Sequence, residues 1–200
     1  MGTIIKTAHP LIGEFHLDNH DLNTKLQEYV RQEIRQDTGL DPNQKHSNIG
    51  GWHSKKDLDA RLSDGSEGSN LLLLLLASFS DPITEYIRTH TKIFQTLPKD
   101  SYNWNYAGVW YNVAFNGSYN APHVHPGAQI SAAYYIRTEE PDQAHPFSGR
   151  IDFIENNIQY PFTPKAGTLL LFPSTMLHWV HPYYGKELRI CLSFNAKDII

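Results

Sequence analysis

The segment Gly167-Thr168-Leu169-Leu170-Leu171-Phe172-Pro173-Ser174-Thr175-Met176-Leu177-His178 decides how the rest of the chain is read. Residues 168–172 form an apolar run bounded by a glycine and a proline. This is the pattern of a strand covered on both faces rather than one with a wet side. The sheet that contains it therefore needs a second layer on each side. The surrounding sequence supplies one kind of cover. From Tyr106 onward the chain is dominated by aromatic and β-branched runs broken by Gly, Pro and Asn, which predicts further strands over 108–115, 129–137, 150–154 and 188–195. Many short strands at close spacing indicate an antiparallel sandwich or barrel.

The other cover is expected from the first half. Leu22, Leu26, Tyr29, Val30 and Ile34 recur at helical spacing, with Gly39 where a helix would stop. A second amphipathic helix is predicted from Asp81, as N-cap, and Pro82, at the first helical position. It carries Ile83, Tyr86, Ile87, Ile93 and Phe94 on one side as far as Pro98. Residues 46–54 read as a Gly- and Asn-rich loop, and the polar stretch 63–69 as a second, mobile one. The expected organisation is one domain over 1–200, with helices and loops in 1–105 packed on a β core in 106–200 that carries the chemistry.

Composition narrows the function classes. The chain has 200 residues, a formal net charge of -4 and scattered Lys and Arg, so no basic stripe offers a nucleic-acid footprint. The single cysteine, Cys191, has no partner for an internal disulfide, and the start of the chain lacks the pattern of a signal peptide, which predicts a cytoplasmic protein. The apolar run 71–77 is far shorter than the roughly 20 residues that span a bilayer, and Lys6 breaks the myristoylation pattern opened by Met1-Gly2. No membrane partner is expected. A small molecule or peptide as substrate, and a homodimer, are compatible with this composition.

The candidate chemistry begins at Pro122-His123-Val124-His125-Pro126. On an extended strand alternate side chains point the same way, so His123 and His125 present two imidazoles to one side, as two ligands of a metal would be. The apolar strand at 168–172 leads through a proline turn to His178 and His181, either of which could return to the pair. His178 follows Met176-Leu177 and is expected to be the more buried, with His181 at the rim. Arg189 opens the last strand on the same face as Cys191 and Ser193, where it could clamp a carboxylate in bidentate fashion.

These motifs together resemble the 2-oxoglutarate- and Fe(II)-dependent oxygenases, and in particular a microbial branch with an H-x-H-P motif. The matching residues are His123-Val124-His125-Pro126, Ser131-Ala132-Ala133-Tyr134-Tyr135, Phe172-Pro173-Ser174, His178-Trp179-Val180, Arg189 and Phe194-Asn195, with the loop 47–52 alongside. The resemblance implies a mainly β fold with flanking helices around a double-stranded β-helix, the jelly-roll or cupin-like core. It implies Fe(II) as metal, 2-oxoglutarate as co-substrate and a dioxygenase reaction, most often hydroxylation. His123 and His178 become iron ligands and Arg189 the clamp on the distal carboxylate of 2-oxoglutarate. Tyr135 or Tyr134 would be a second donor, and Ser193 joins the co-substrate set.

The pattern departs from the family at one position. His125 stands where the superfamily usually has a carboxylate, and Gln129, Asp152 or Glu155 could supply an oxygen instead. Three imidazoles also suit Zn or Cu. Two other readings remain open. Gly117, His123, His125 and Gln129, then Gly167, Pro173 and His178, resemble the two cupin motifs, whose metal would act as a dioxygenase or isomerase centre without 2-oxoglutarate. A metal-free module with an aromatic cleft would leave three histidines unexplained. Substrate contacts are expected from loops 46–54 and 138–148.

Overall fold

The structure, a computed structural model, describes residues 3–5, 9–36 and 47–200. The expected helix stop at Gly39, His46 of the first loop, and the Met1-Gly2 and Lys6 positions lie outside the described residues.

Two sheets face each other. The larger contains β1 (Thr3–Ile5), β2 (Gly13–His16), β10 (Thr168–Pro173), β7 (Ile130–Arg137), β12 (Arg189–Lys197), β5 (Asn105–Ala114) and β4 (Trp52–His53), hydrogen-bonded in that order. The smaller contains β3 (Asn48–Ile49), β6 (Tyr119–His123), β11 (Leu177–Val180), β8 (Ile151–Glu155) and β9 (Ile158–Phe162), also in spatial order. The pairings between these strands are antiparallel, and the fold is a double-stranded β-helix. The five strands expected from the sequence are β5, β7, β8, β10 and β12. The short β1, β2, β3, β4, β6, β9 and β11 were not anticipated, because runs of two to five residues carry too little periodicity to announce themselves.

β10 is buried at all six positions, as its unbroken apolar run requires. Its alternate side chains go to different layers. Leu169 and Leu171 join a core beneath the helices, whereas Leu170 and Phe172 join a second core between the two sheets. β7 splits in the same way, with Tyr134 on the helix side and Tyr135 between the sheets. The helical layer consists of α1 (His20–Arg35), α2 (Glu67–Ala77), α3 (Ser80–Thr89) and α4 (Thr91–Phe94).

Two expectations for this layer need correction. The stretch 63–69 is not a mobile loop throughout. Ser66 caps α2 by accepting a hydrogen bond from the Ser69 backbone N–H at 3.2 Å, so residues 67–69 are the helix's first turn. The leucine run behind it then follows helical spacing, with Leu71, Leu72, Leu75 and Leu76 buried while Leu73 and Leu74 face outward. Nor is Asp81 the N-cap of the following helix. α3 starts at Ser80 with Phe79 in the cap position, and the helical path breaks at His90 before α4, which leaves Ile93 exposed. Among the described residues, no helix is long and apolar enough to cross a membrane.

Phe79 shows how the layers are fastened. It is fully buried, with ring centroids 5.2 Å from Tyr134 on β7 and 5.7 Å from Phe194 on β12. Phe79→Ala should lower unfolding stability by about 3 to 5 kcal/mol, the range for deleting a buried aromatic ring. A urea titration checks this, with a shifted midpoint and an unchanged slope as the expected outcome.

Candidate metal centre and co-substrate pocket

The cross-strand register brings two of the histidines together. His123 ends β6 and His178 lies on β11, and the two are direct partners in the antiparallel pair. Their ring centroids are 4.2 Å apart. His125 lies just beyond β6, where its backbone N–H donates to the Ser174 carbonyl at 2.8 Å. The same turn is closed by the Ser174 hydroxyl donating to the Ala128 carbonyl, which explains the serine after Phe172-Pro173. The His125 ring lies 4.9 Å from His123 and 5.3 Å from His178. One ligand nitrogen from each of the three falls within 4.8 Å of the others, close enough to share a metal ion.

Hydrogen bonds orient two of these rings for ligation. Nδ1 of His123 donates to the Ala121 carbonyl at 2.7 Å, and Nδ1 of His178 donates to the Met176 carbonyl at 2.9 Å. A carbonyl can only accept, so each ring carries its proton on Nδ1 and has its lone pair on Nε2, which in His123 lies 3.2 Å from the Ser47 hydroxyl, a donor that a metal would displace. Burial also favours the neutral form. It lowers the His123 pKa, brings His125 down to about 4 with help from the positive charges of His123 and Lys56, and brings His178 down to about 3. Neutral imidazole is the form that binds metal.

The histidines open into a cavity of about 410 Å³ between the sheets. Arg189, Cys191 and Ser193 of β12 line it together, as their shared face requires, and Tyr135 lines it from β7. Arg189 is only 2% exposed, with its guanidinium carbon 5.0 Å from the Tyr135 ring centroid. No carboxylate among the described residues pairs with it, and neither its Nε nor the Tyr135 hydroxyl has a hydrogen-bond partner. Gly149 makes room for this side chain. It adopts φ +64, and a Cβ there would stand 3.1 Å from Tyr183 and 3.3 Å from the Arg189 Cδ.

The other sequence candidates lie elsewhere. Tyr134 faces the helices, its hydroxyl 3.0 Å from the Asn23 side-chain oxygen, because neighbours on a strand point opposite ways. His181 is 2.8 Å from Asp152, which also accepts from Arg150 at 2.7 Å. Glu155 pairs with His9 at 2.6 Å, and the Gln129 side-chain oxygen accepts from the Ile199 backbone at 3.1 Å. None of these lines the cavity, nor does any residue of 138–148. Sequence reasoning missed Lys56, Trp110 and Asn112, which do line it. Trp110 and Asn112 share a face of β5, a signal present in the two-residue period of that strand.

Residues 108–195, which span all three histidines and Arg189, match the family described as "Putative 2OG-Fe(II) oxygenase". Over this segment the chain matches a 2OG-Fe(II) oxygenase domain. Its fold resembles a prolyl-4-hydroxylase from Pseudomonas putida, at 17% identity and a TM-score of 0.62, over 94% of this chain and 92% of that one. It also resembles a Trichoplax adhaerens prolyl hydroxylase solved in complex with a hypoxia inducible factor oxygen degradation domain peptide fragment. There the identity is 15% and the TM-score 0.67, over 94% of this chain and 84% of the other. A third similar structure is the α-ketoglutarate-dependent epimerase SnoN from nogalamycin biosynthesis, at 12% identity and a TM-score of 0.64, over 94% and 77%. No curated protein matches the chain significantly in sequence.

The cofactors of this oxygenase family are Fe(II) and 2-oxoglutarate, and the donor set of this domain fits both. Three buried imidazoles, with Nε2 as the acceptor nitrogen of His123 and His178, suit Fe(II), and a buried guanidinium without a carboxylate partner in the same cavity suits a dicarboxylate.

The lowered histidine pKa values have a thermodynamic consequence for the metal-free domain. Between the unfolded value near about 6.5 and the folded values, the unfolded chain binds more protons, so stability falls as pH drops through this window. Chelator-treated protein should therefore lose stability on acidification from about pH 6.5 towards 4. His178→Gln, which cannot protonate, should show a shallower dependence in urea titrations across that range.

Proposed function

We propose that this oxygenase hydroxylates a C–H bond of an organic substrate at an iron held by His123, His125 and His178, with 2-oxoglutarate anchored by Arg189. The buried guanidinium carries this reading. A cation removed from water with no protein anion beside it is costly, and a carboxylate arriving from a ligand offsets that cost. Its place in the cavity of the three histidines also favours a 2-oxoglutarate enzyme over a cupin that needs no such clamp.

When bound, iron and 2-oxoglutarate supply the reductive activation of O2, with 2-oxoglutarate ending as succinate and CO2. The residues of the chain do the rest. Arg189 binds and orients the co-substrate's far carboxylate in bidentate fashion, and the Tyr135 hydroxyl and Ser193 stand beside it as further donors. Ile151, Phe172 and Val180 form the apolar wall that keeps water from the reacting centre. The carbonyls of Ala121 and Met176 hold His123 and His178 in register for the metal. Cys191 is buried and unpaired, which suits the reducing interior of a cell, and we place the enzyme in the cytoplasm.

Arg189→Leu should weaken 2-oxoglutarate binding by about 2 to 5 kcal/mol while iron stays bound. Anaerobic titration, following the charge-transfer band of the Fe(II)–2-oxoglutarate chelate, measures it. Unchanged affinity would transfer the site to the cupin reading. His125→Asp, which restores the carboxylate common in the superfamily, should retain iron after reconstitution, whereas His125→Ala should retain little. Full iron occupancy in His125→Ala would remove this histidine from the ligand set.

A further inference from the structure

The lining of the cavity contains the cations Lys56 and Arg189 and no Asp or Glu. This imbalance persists once the site is loaded. With three neutral ligands, the charge of Fe(II) is matched by the two carboxylates of 2-oxoglutarate, and no ligand carboxylate offsets Arg189. Lys56 then adds a second uncompensated positive charge at the mouth.

Lys56 is held there by its backbone. Its carbonyl accepts from the Val109 N–H at 3.2 Å, while on either side the Ser54 N–H donates to Tyr111 at 3.0 Å and the Leu58 N–H to Val109 at 3.3 Å. The strap 54–58 is thus laced along β5. The ammonium group lies 5.3 Å from the Trp110 ring centroid, and among the described residues it has no carboxylate within ion-pair distance. Trp110 in turn lies 5.8 Å from the His125 ring. A group resting on the indole would therefore stand beside the metal ligands.

Asn112, two residues along the same face of β5, adds directed donors. Asn48 donates from its side-chain nitrogen to the Trp52 carbonyl at 3.1 Å and to the Asn112 side-chain oxygen at 2.9 Å. The first bond fixes the Asn48 amide as a donor, so the second fixes the Asn112 oxygen as an acceptor, and among the described residues no partner of its NH2 group is seen. That group sits in the cavity lining with two N–H donors to offer.

We propose that Lys56, Asn112 and Trp110 form a substrate subsite that selects molecules bearing an anionic group, carboxylate or phosphate, next to a flat or apolar portion. This rests on the oxygenase reading above and goes beyond it by naming the substrate class. The anion meets the ammonium of Lys56 and the amide N–H groups of Asn112, and its apolar neighbour lies on the indole. The C–H bond to be oxidised is then carried past His125 towards the metal.

The test uses the full chain loaded anaerobically with Fe(II) and excess 2-oxoglutarate, so that the Arg189 position is already filled. Benzoate, phenyl phosphate and benzamide are the probes, titrated by calorimetry. One or both anions should bind at least about tenfold more tightly than the neutral amide, and Lys56→Met should abolish that preference. The arm that binds better distinguishes carboxylate from phosphate. Equal affinities, a preference that survives in Lys56→Met, or no binding by any probe would overturn the subsite. The charge-transfer band of the loaded wild-type protein separates this from the underlying reading. Without the band the oxygenase reading fails, and with the band but no anion preference the subsite alone fails.

Discussion

The central strands β7, β10 and β12 are covered on both faces, and everything chemical in the molecule depends on how their side chains alternate between the two covers. Even-numbered residues of β12, such as Ile190, Leu192 and Phe194, go to the helix-side core, while Arg189, Cys191 and Ser193 line the cavity. A one-residue slip would exchange those sets, burying a guanidinium among the helices and filling the cavity with leucine and phenylalanine. The register is pinned by polar pairs as well as by apolar burial. Ser131 and Asn195 are cross-strand partners on β7 and β12, and the Ser131 hydroxyl donates to the Asn195 side-chain oxygen at 2.8 Å.

The smaller sheet contributes geometry of a different kind. His123 and His178 face each other because β6 and β11 pair in register, and their spacing needs no metal to establish it. Each then spends its Nδ1 proton on the carbonyl two residues earlier in its own segment. The orientation of the ligands is thus a property of local backbone, which pre-organises the site and limits the ordering that binding must impose. His125 is held less directly, through the backbone contact with Ser174, and its side chain leans on Trp110.

Much of this was legible in the sequence, for reasons that can be named. The run 168–172 announced a doubly covered strand because it lacked the alternation of a half-exposed one, and the His-x-His spacing placed two imidazoles together. The choice of His178 over His181 followed from the apolar residues before it. The failures are equally physical. Tyr134 and Tyr135 could not be separated from the motif alone, since only the phase of β7 decides which one faces the cavity. The leucines at 71–77 gave a helix that periodicity obscured, because outward-facing Leu73 and Leu74 erase the polar face. Lys56 gave no signal, because its role comes from backbone hydrogen bonds to a strand about fifty residues later in the chain.

In the site we propose, His125 in place of a carboxylate would change the charge of the whole cavity as well as one bond to the metal. In a low-dielectric pocket a single charge acts over the full width of the site, so its loss is felt by every ionisable neighbour. The lowered pKa of His125 records one side of this: burial is its main cause, and His123 and Lys56 add to it. Arg189 and Lys56 experience the other side, as cations in a lining without anions. With neutral imidazoles the lining still carries two cations and no anion, so its electrostatic complement can come from bound ligands. Co-substrate and substrate then act as missing members of the site's charge balance, which ties their binding to each other through the shared field rather than through direct contact.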